Sequence, residues 1–251
     1  MKSFDLLNQI LTKPIAKAQL DADSVRTICV FDLDSTLFNV APRTEQILKE
    51  FADAEKKPDL FKIKVHPKDW GLKEILIREG YDLSQKSTEN LILHQKLISF
   101  WTEKFFTNQY LHFDTPYLGA VHFVQTLFEN KIDIHYLTGR DIARLGQGTH
   151  EVLLKWGFPI KSDQHLHLKP HKDMDDHKFK LDWVVDFKKM SSEKNDPPKI
   201  YFFENEPVNI NAIGAAVPDL KIVYLDTTHS RKETVSVPVI TIENFSLEKS
   251  P

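Results

Sequence analysis

The chain has 251 residues, 41% of them hydrophobic and 27% charged, with a formal net charge of -3. That balance supports a buried core in one large domain, or a core with a smaller one inserted, and it lacks the basic footprint of a dedicated nucleic-acid binder. The single cysteine, Cys29, excludes a disulfide framework and a cysteine zinc site, so a reducing, cytoplasmic setting is expected.

At the N-terminus, Phe4, Leu7, Ile10 and Leu11 recur at helical spacing, and Asp5, Asn8 and Gln9 interrupt the apolar stretch that an export signal would need. Residues 1–25 therefore read as an N-terminal helical segment. No apolar run is long enough to span a bilayer, so no membrane partner is expected. Short apolar runs rich in β-branched and aromatic residues predict strands at 27–31, 132–137, 199–203, 221–225 and 237–242. Helical patterns separate them, and that alternation predicts an α/β fold with a parallel sheet covered on both faces. Residues 42–113 break the alternation. They carry no clear strand, and 88–106 reads as a helix with Leu91, Leu97, Ile98, Trp101 and Phe105 on one side. This segment is expected to be a helical cap inserted into a core formed by 26–41 and 114–251. Its aromatic residues, Trp70 and Trp101 among them, are expected to form the cap's own core.

The chemistry concentrates at strand ends. Asp32 and Asp34 follow the first strand, and residues two apart in an extended segment point the same way. Ligands of open α/β sheets bind beyond the carboxyl ends of strands, so both carboxylates can enter one crevice. Their mutual repulsion calls for a cation or a shared proton, and a hard dication such as magnesium takes oxygen ligands. Asp32 is then the nucleophile that attacks phosphorus, and Asp34 the general acid/base. An EF-hand is excluded, because Thr36 replaces an oxygen ligand, no glycine follows, and Arg43 occupies the position of the closing glutamate. Further along, Thr138 and Gly139 end an apolar strand and can donate hydrogen bonds to a phosphoryl oxygen. Arg140 either binds substrate or pairs with a nearby acid. Glu204 ends another apolar strand, where a charge is poor core filler. His165, His167, His171 and His177 lie close in sequence, but without an HExxH or Cys/His pair they read as surface or pocket histidines. Neither a P-loop, a GxGxxG nor a GxSxG motif is present.

Asp32-Leu33-Asp34-Ser35-Thr36, the strand ending Thr138-Gly139-Arg140 and the strand ending Glu204-Asn205 resemble, in order and spacing, three motifs of the haloacid dehalogenase (HAD) superfamily. Glycine is commoner there at the place of Ser35. The resemblance implies a three-layer, Rossmann-like HAD core with a helical cap after the first motif. It also implies a magnesium-dependent phosphatase acting on a small phosphorylated substrate through an aspartyl phosphate. The ion would be held by Asp32, the backbone carbonyl of Asp34, Glu204 and, more weakly because aspartate is usual there, Asn205. The family's phosphate-binding lysine maps best to Lys180, near the start of a helix carrying Phe179, Trp183 and Phe187 on its buried face, with Lys169 and Lys178 as alternatives. A phosphotransferase, a nucleic-acid-end phosphatase drawn by the locally basic HLHLKPHK stretch, and a non-catalytic phosphate-binding module remain as other readings. Nothing in the sequence names the substrate.

Overall fold

The computed structural model describes residues 5, 8, 10, 11, 26–160, 162, 165–192 and 197–247. The segment read as an N-terminal helix lies mostly outside them. Its Ile10 and Leu11 are buried in the main core.

The described chain runs β1 (Thr27–Phe31), β2 (Phe38–Asn39), α1 (Ala41–Ala54), α2 (Pro58–Phe61), α3 (Leu72–Arg78), α4 (Thr88–Phe105), a 3-10 turn (Asn108–Phe113), β3 (Thr115–Pro116), α5 (Ala120–Glu129), β4 (Asp133–Asp141), α6 (Ile142–Trp156), β5 (Leu166–Lys169), α7 (Asp176–Ser192), β6 (Lys199–Glu204), α8 (Pro207–Ala216), β7 (Lys221–Leu225) and β8 (Ile240–Ile242). Six strands form one parallel sheet in the order β5-β4-β1-β6-β7-β8. The strand expected at 132–137 extends to Asp141, and the one expected at 237–242 shrinks to three residues.

Alternation along β1 explains the layers. Ile28 and Val30 face a cluster completed by Val184 of α7 and Ile210 and Ile213 of α8. Cys29 and Phe31 face the other way, against Phe123, Val124 and Leu127 of α5 and Val152 and Leu153 of α6. Side chains two apart share a face, so a strand apolar at every position must be covered twice. The helices obey local rules. Asp141 caps α6 by accepting the Arg144 amide at 3.0 Å, and Gly157 ends it with φ 82°. Gly119 turns the chain into α5 at φ 78°, where an added Cβ would lie 2.5 Å from the Phe245 backbone.

Two elements escaped the sequence reading. Strand β5 lies inside the histidine-rich stretch, where the polar alternation of His165, His167 and Lys169 hides Leu166 and Leu168. The ribbon of β2 and β3 is only two residues wide, with Phe38 opposite Pro116 and Asn39 opposite Thr115. Between its strands lie α1 to α4, with their own apolar cluster of Leu48, Phe51, Leu60, Ile75, Leu76, Leu93 and Leu97. The amphipathic face expected on α4 is split. Leu97 is buried in that cluster, whereas Ile98 is 42% exposed.

The chain crosses from β1 to β4 on one side and returns by β6 on the other, so the crevice beyond β1 is the switch point of the sheet. No described helix is long and apolar enough to cross a membrane.

Candidate active site

The turn after β1 is fixed by its backbone. The Thr36, Leu37 and Phe38 amides all donate to the Leu33 carbonyl, and the Ser35 amide donates to the Phe38 carbonyl at 2.7 Å. Ser35 itself adopts φ 64°. A left-handed residue costs an L side chain energy that glycine avoids, which accounts for the family's usual glycine at this place. The tight turn leaves Asp32 3% exposed at the mouth of the strand, and Asp34 opens toward the cavity.

Asp32 belongs to a compact polar cluster. Lys180 Nζ donates to Asp32 Oδ1 at 2.6 Å and to Glu204 Oε2 at 2.8 Å. Thr36 Oγ1 lies 2.8 Å from Asp32 Oδ2 and 3.0 Å from Asn205 Oδ1. Glu204 Oε1 accepts the Asn205 and Glu206 amides, and Asn209 Nδ2 donates to its Oε2 at 3.0 Å. Two buried carboxylates thus share one ammonium. Burial and the Glu204 charge push the Asp32 carboxyl up to about 7 against the opposing pull of Lys180. Burial alone would lower Lys180, but Asp32 and Glu204 outweigh it and hold the ammonium protonated. Of the three candidate lysines, only Lys180 reaches Asp32. Lys169 pairs with Asp176 and the Met174 carbonyl, and Lys178 pairs with Asp182 on the helix surface.

Asp34 has different company. Arg140 Nε and Nη2 grip it at 2.8 and 2.7 Å, and Arg43 Nη2 reaches it at 3.0 Å. Both guanidiniums also donate to Asp114, which is fully buried. Burial raises the Asp34 carboxyl, but the two arginines prevail and hold it well below the usual carboxylate range. Of the two roles open to Arg140, pairing with an acid is the one the geometry displays, although the residue still lines the cavity. Arg43 and Asp114 were not singled out for the site. Their signal was faint: one arginine and one aspartate flank the two ends of the helical insertion. Phe105 stacks under Arg43, with the guanidinium carbon 4.2 Å from the ring centre.

Asp32, Asp34, Thr138, Gly139, Arg140, Lys180, Glu204 and Asn205 all line one cavity of about 910 Å3. Thr138 is buried, and its hydroxyl lies 3.3 Å from the Arg140 amide nitrogen. An added Cβ on Gly139 would come within 2.9 Å of Asp176 Oδ2, so that carboxylate would have to shift to admit a side chain. The opposite wall comes from the insertion and mixes apolar residues, Trp70, Ile75, Ile98, Trp101 and Phe105, with polar Asp69, Lys73 and His94. Trp70 is 50% exposed and belongs to this wall rather than to an aromatic core of the insertion. Its placement corrects the sequence expectation: it precedes α3, where no second layer covers it. Trp101 lines the cavity and also packs on the insertion's cluster, with its indole donating to Thr44 at 3.2 Å. The four histidines separate. His177 lines the cavity beside Asn209, whereas His165 and His167 lie against His135 at the other end of β4.

The family model for haloacid dehalogenase-like hydrolases matches residues 27–174. This chain belongs to that family. No curated protein sequence matches it. Among solved structures, a provisionally named phosphatase from Clostridium difficile is 15% identical, covers 88% of this chain and 95% of its own, and superposes with a TM-score of 0.52. A haloacid dehalogenase-like family hydrolase from Streptococcus pneumoniae is 10% identical over 86% of this chain and 93% of its own, with a TM-score of 0.48. CbbY from Rhodobacter sphaeroides, in complex with phosphate, is 11% identical over 88% and 95%, with a TM-score of 0.47. At 15% identity the likeness to the Clostridium difficile structure speaks for a shared fold alone.

Proposed function

We propose that the protein is a magnesium-dependent phosphatase that hydrolyses a small phosphomonoester through an aspartyl phosphate on Asp32. The observation that carries this reading is the convergence of Asp32, Lys180 and Glu204 with Asp34 and Thr138 at the floor of one cavity, at the carboxyl ends of β1, β4 and β6. The donor set fits a hard dication: Asp32, Glu204 and Asn205 offer oxygen, and two buried carboxylates share a single lysine charge. Asp32, the Asp34 carbonyl, Glu204 and Asn205 would hold it. When bound, magnesium neutralises phosphate charge and orients the ester for in-line displacement.

The chain's own groups carry the rest. The Asp32 carboxylate attacks phosphorus, and the ester oxygen departs with a proton. Lys180 holds the nucleophile by one oxygen and balances charge that the phosphate brings. Thr138 and the Gly139 amide face the phosphoryl oxygens. Asp34 protonates the leaving oxygen and later takes a proton from the water that hydrolyses the aspartyl phosphate. With both guanidiniums on it Asp34 is ionised, so to act as the acid it must first release a guanidinium partner and take up a proton. Arg43 is the arginine carried by the insertion, so displacement of α1 changes the partners of Asp34. The apolar side chains of Trp70, Ile98 and Trp101 would face the leaving group.

Acid quenching during turnover of a phosphomonoester, followed by peptide mass spectrometry, should find the phosphoryl group on Asp32. Activity should vanish with a chelator and return with magnesium. A phosphoryl group found only on histidine or serine, or full turnover in metal-free protein, would overturn the reading. Part of the basic stretch at 165–172 is taken up inside the fold, while His171 and Lys172 stay exposed. Lys169 is buried on Asp176, and His167 lies against His135 and Trp183.

A further inference from the structure

We propose that Asp133, His135 and His165 form a second metal site, for a zinc-class dication, at the amino end of β4. The residues follow from register. Asp133 and His135 are two apart on β4, His165 and His167 are two apart at the start of β5, and β5 pairs beside β4 through Leu137 and His167. All four side chains therefore emerge on one face. The site lies apart from the catalytic crevice: Asp133 pairs with Ile28 at the beginning of β1, and about 10 to 16 Å of strand, at roughly 3.3 Å per residue, separates His135 and Asp133 from Thr138.

The geometry is that of a ligand set. His165 Nε2 lies 3.3 Å and His135 Nε2 3.7 Å from the same oxygen, Asp133 Oδ1. The three ligand atoms all fall within 4.8 Å of one another. A tetrahedral ion with bonds of about 2.0–2.1 Å spaces its ligands roughly 3.3–3.4 Å apart. Two edges are near that spacing already, and rotation of the partly exposed His165 ring closes the third.

A second, independent pattern points the same way. A metal-bound histidine normally donates its other ring N–H to an outer partner, which fixes the ring and its tautomer. Both rings have such a partner on Nδ1. His135 Nδ1 lies 3.0 Å from His167 Nε2, and His165 Nδ1 lies 3.2 Å from Ser162 Oγ. With Nδ1 protonated in each, both Nε2 lone pairs face Asp133. The carboxylate is oriented likewise, since Arg26 takes its Oδ2 and leaves Oδ1 toward the histidines. Phe187 packs on His135 with ring centres 4.8 Å apart. Two imidazoles and one carboxylate, partly open to solvent for a fourth ligand, suit zinc and not the all-oxygen preference of magnesium. The ion would tie β5, an edge strand, to β4.

The test titrates zinc by calorimetry into the full chain in saturating magnesium, comparing wild type with His165→Ala and Ser162→Ala. Neither residue belongs to the catalytic crevice, so magnesium-dependent phosphatase turnover should be unchanged in both. Wild type should bind one more zinc than His165→Ala, and zinc should raise the melting temperature of wild type only. Ser162→Ala, which removes only the partner behind the ring, should weaken that zinc about tenfold. Cobalt in place of zinc should give the intense visible absorption of a tetrahedral site in wild type alone. Identical zinc isotherms for wild type and His165→Ala, or a cobalt spectrum untouched by that substitution, would overturn the proposal.

Discussion

Asp32 and Asp34 stand two residues apart on one turn, yet the fold surrounds them with opposite electrostatics. Asp32 shares one lysine with Glu204, so its cluster keeps an excess of negative charge and its carboxyl is raised. Asp34 and Asp114 meet two arginines, so their cluster is neutral and the Asp34 carboxyl is depressed. Spacing alone makes the two residues look alike. Their difference comes from elements far away in sequence, α7 and β6 for one and α1, β4 and the Asp114 linker for the other. The electron-rich cluster is suited to a cation and an electrophile, and the neutral one to holding a carboxylate in a fixed orientation.

The comparison can be broken most sharply at Asp32, the proposed nucleophile. Asp32→Asn keeps shape and leaves Lys180 on Glu204, so the fold should persist while turnover falls on the order of a millionfold, the scale seen when a nucleophile is removed. Stopped-flow turnover and thermal melting together read both halves of that statement. Asp34→Asn should cost less, about a hundredfold to ten-thousandfold, and should bite hardest on alkyl phosphates whose leaving oxygen needs a proton. Equal losses on alkyl and activated aryl phosphates would assign Asp34 another role. Asp114→Asn tests the support of the second cluster. Removing one partner of a buried charge pair costs about 3–5 kcal/mol, and denaturant unfolding should report a loss near the lower figure because Asp34 still faces both arginines. The smallest effect concerns the turn that carries both carboxylates. Ser35→Gly relieves a left-handed φ of 64° and should stabilise by about 1 kcal/mol, visible as a raised unfolding midpoint with unchanged slope.

Much of the core was legible because its signals are local. Five apolar runs gave strands, DxDST placed two carboxylates at a strand end, and the helix beginning near Asp176 carried Lys180 to Asp32. The fold agreed with the α/β expectation wherever a β-branched run was its own announcement. What stayed hidden depends on distance in the chain. Arg43 meets Asp114 across 71 positions, and neither residue type nor spacing marks that pair. Strand β5 was masked because its outward residues are histidines, which read as a polar cluster. The face of α4 was misjudged because a cavity wall and a core both select apolar residues, so periodicity could not tell Ile98 from Leu97. The same ambiguity placed Trp70 in a core.

The two-residue ribbon has a consequence for how such a molecule can change. Asn39 and Thr115 are paired neighbours in the ribbon, so the chain enters and leaves the helical segment at nearly one point. Everything between them is a closed loop that reaches the catalytic floor through Arg43. Closure entropy grows only with the logarithm of loop length, about 0.6 kcal/mol for each doubling. As long as Arg43 keeps its place on Asp34 and Asp114, the roof can therefore be lengthened or shortened at little cost in closure entropy while the floor keeps its register. A single inserted residue in the turn from Asp32 to Thr36 has no such freedom, because it would rotate one carboxylate out of the crevice.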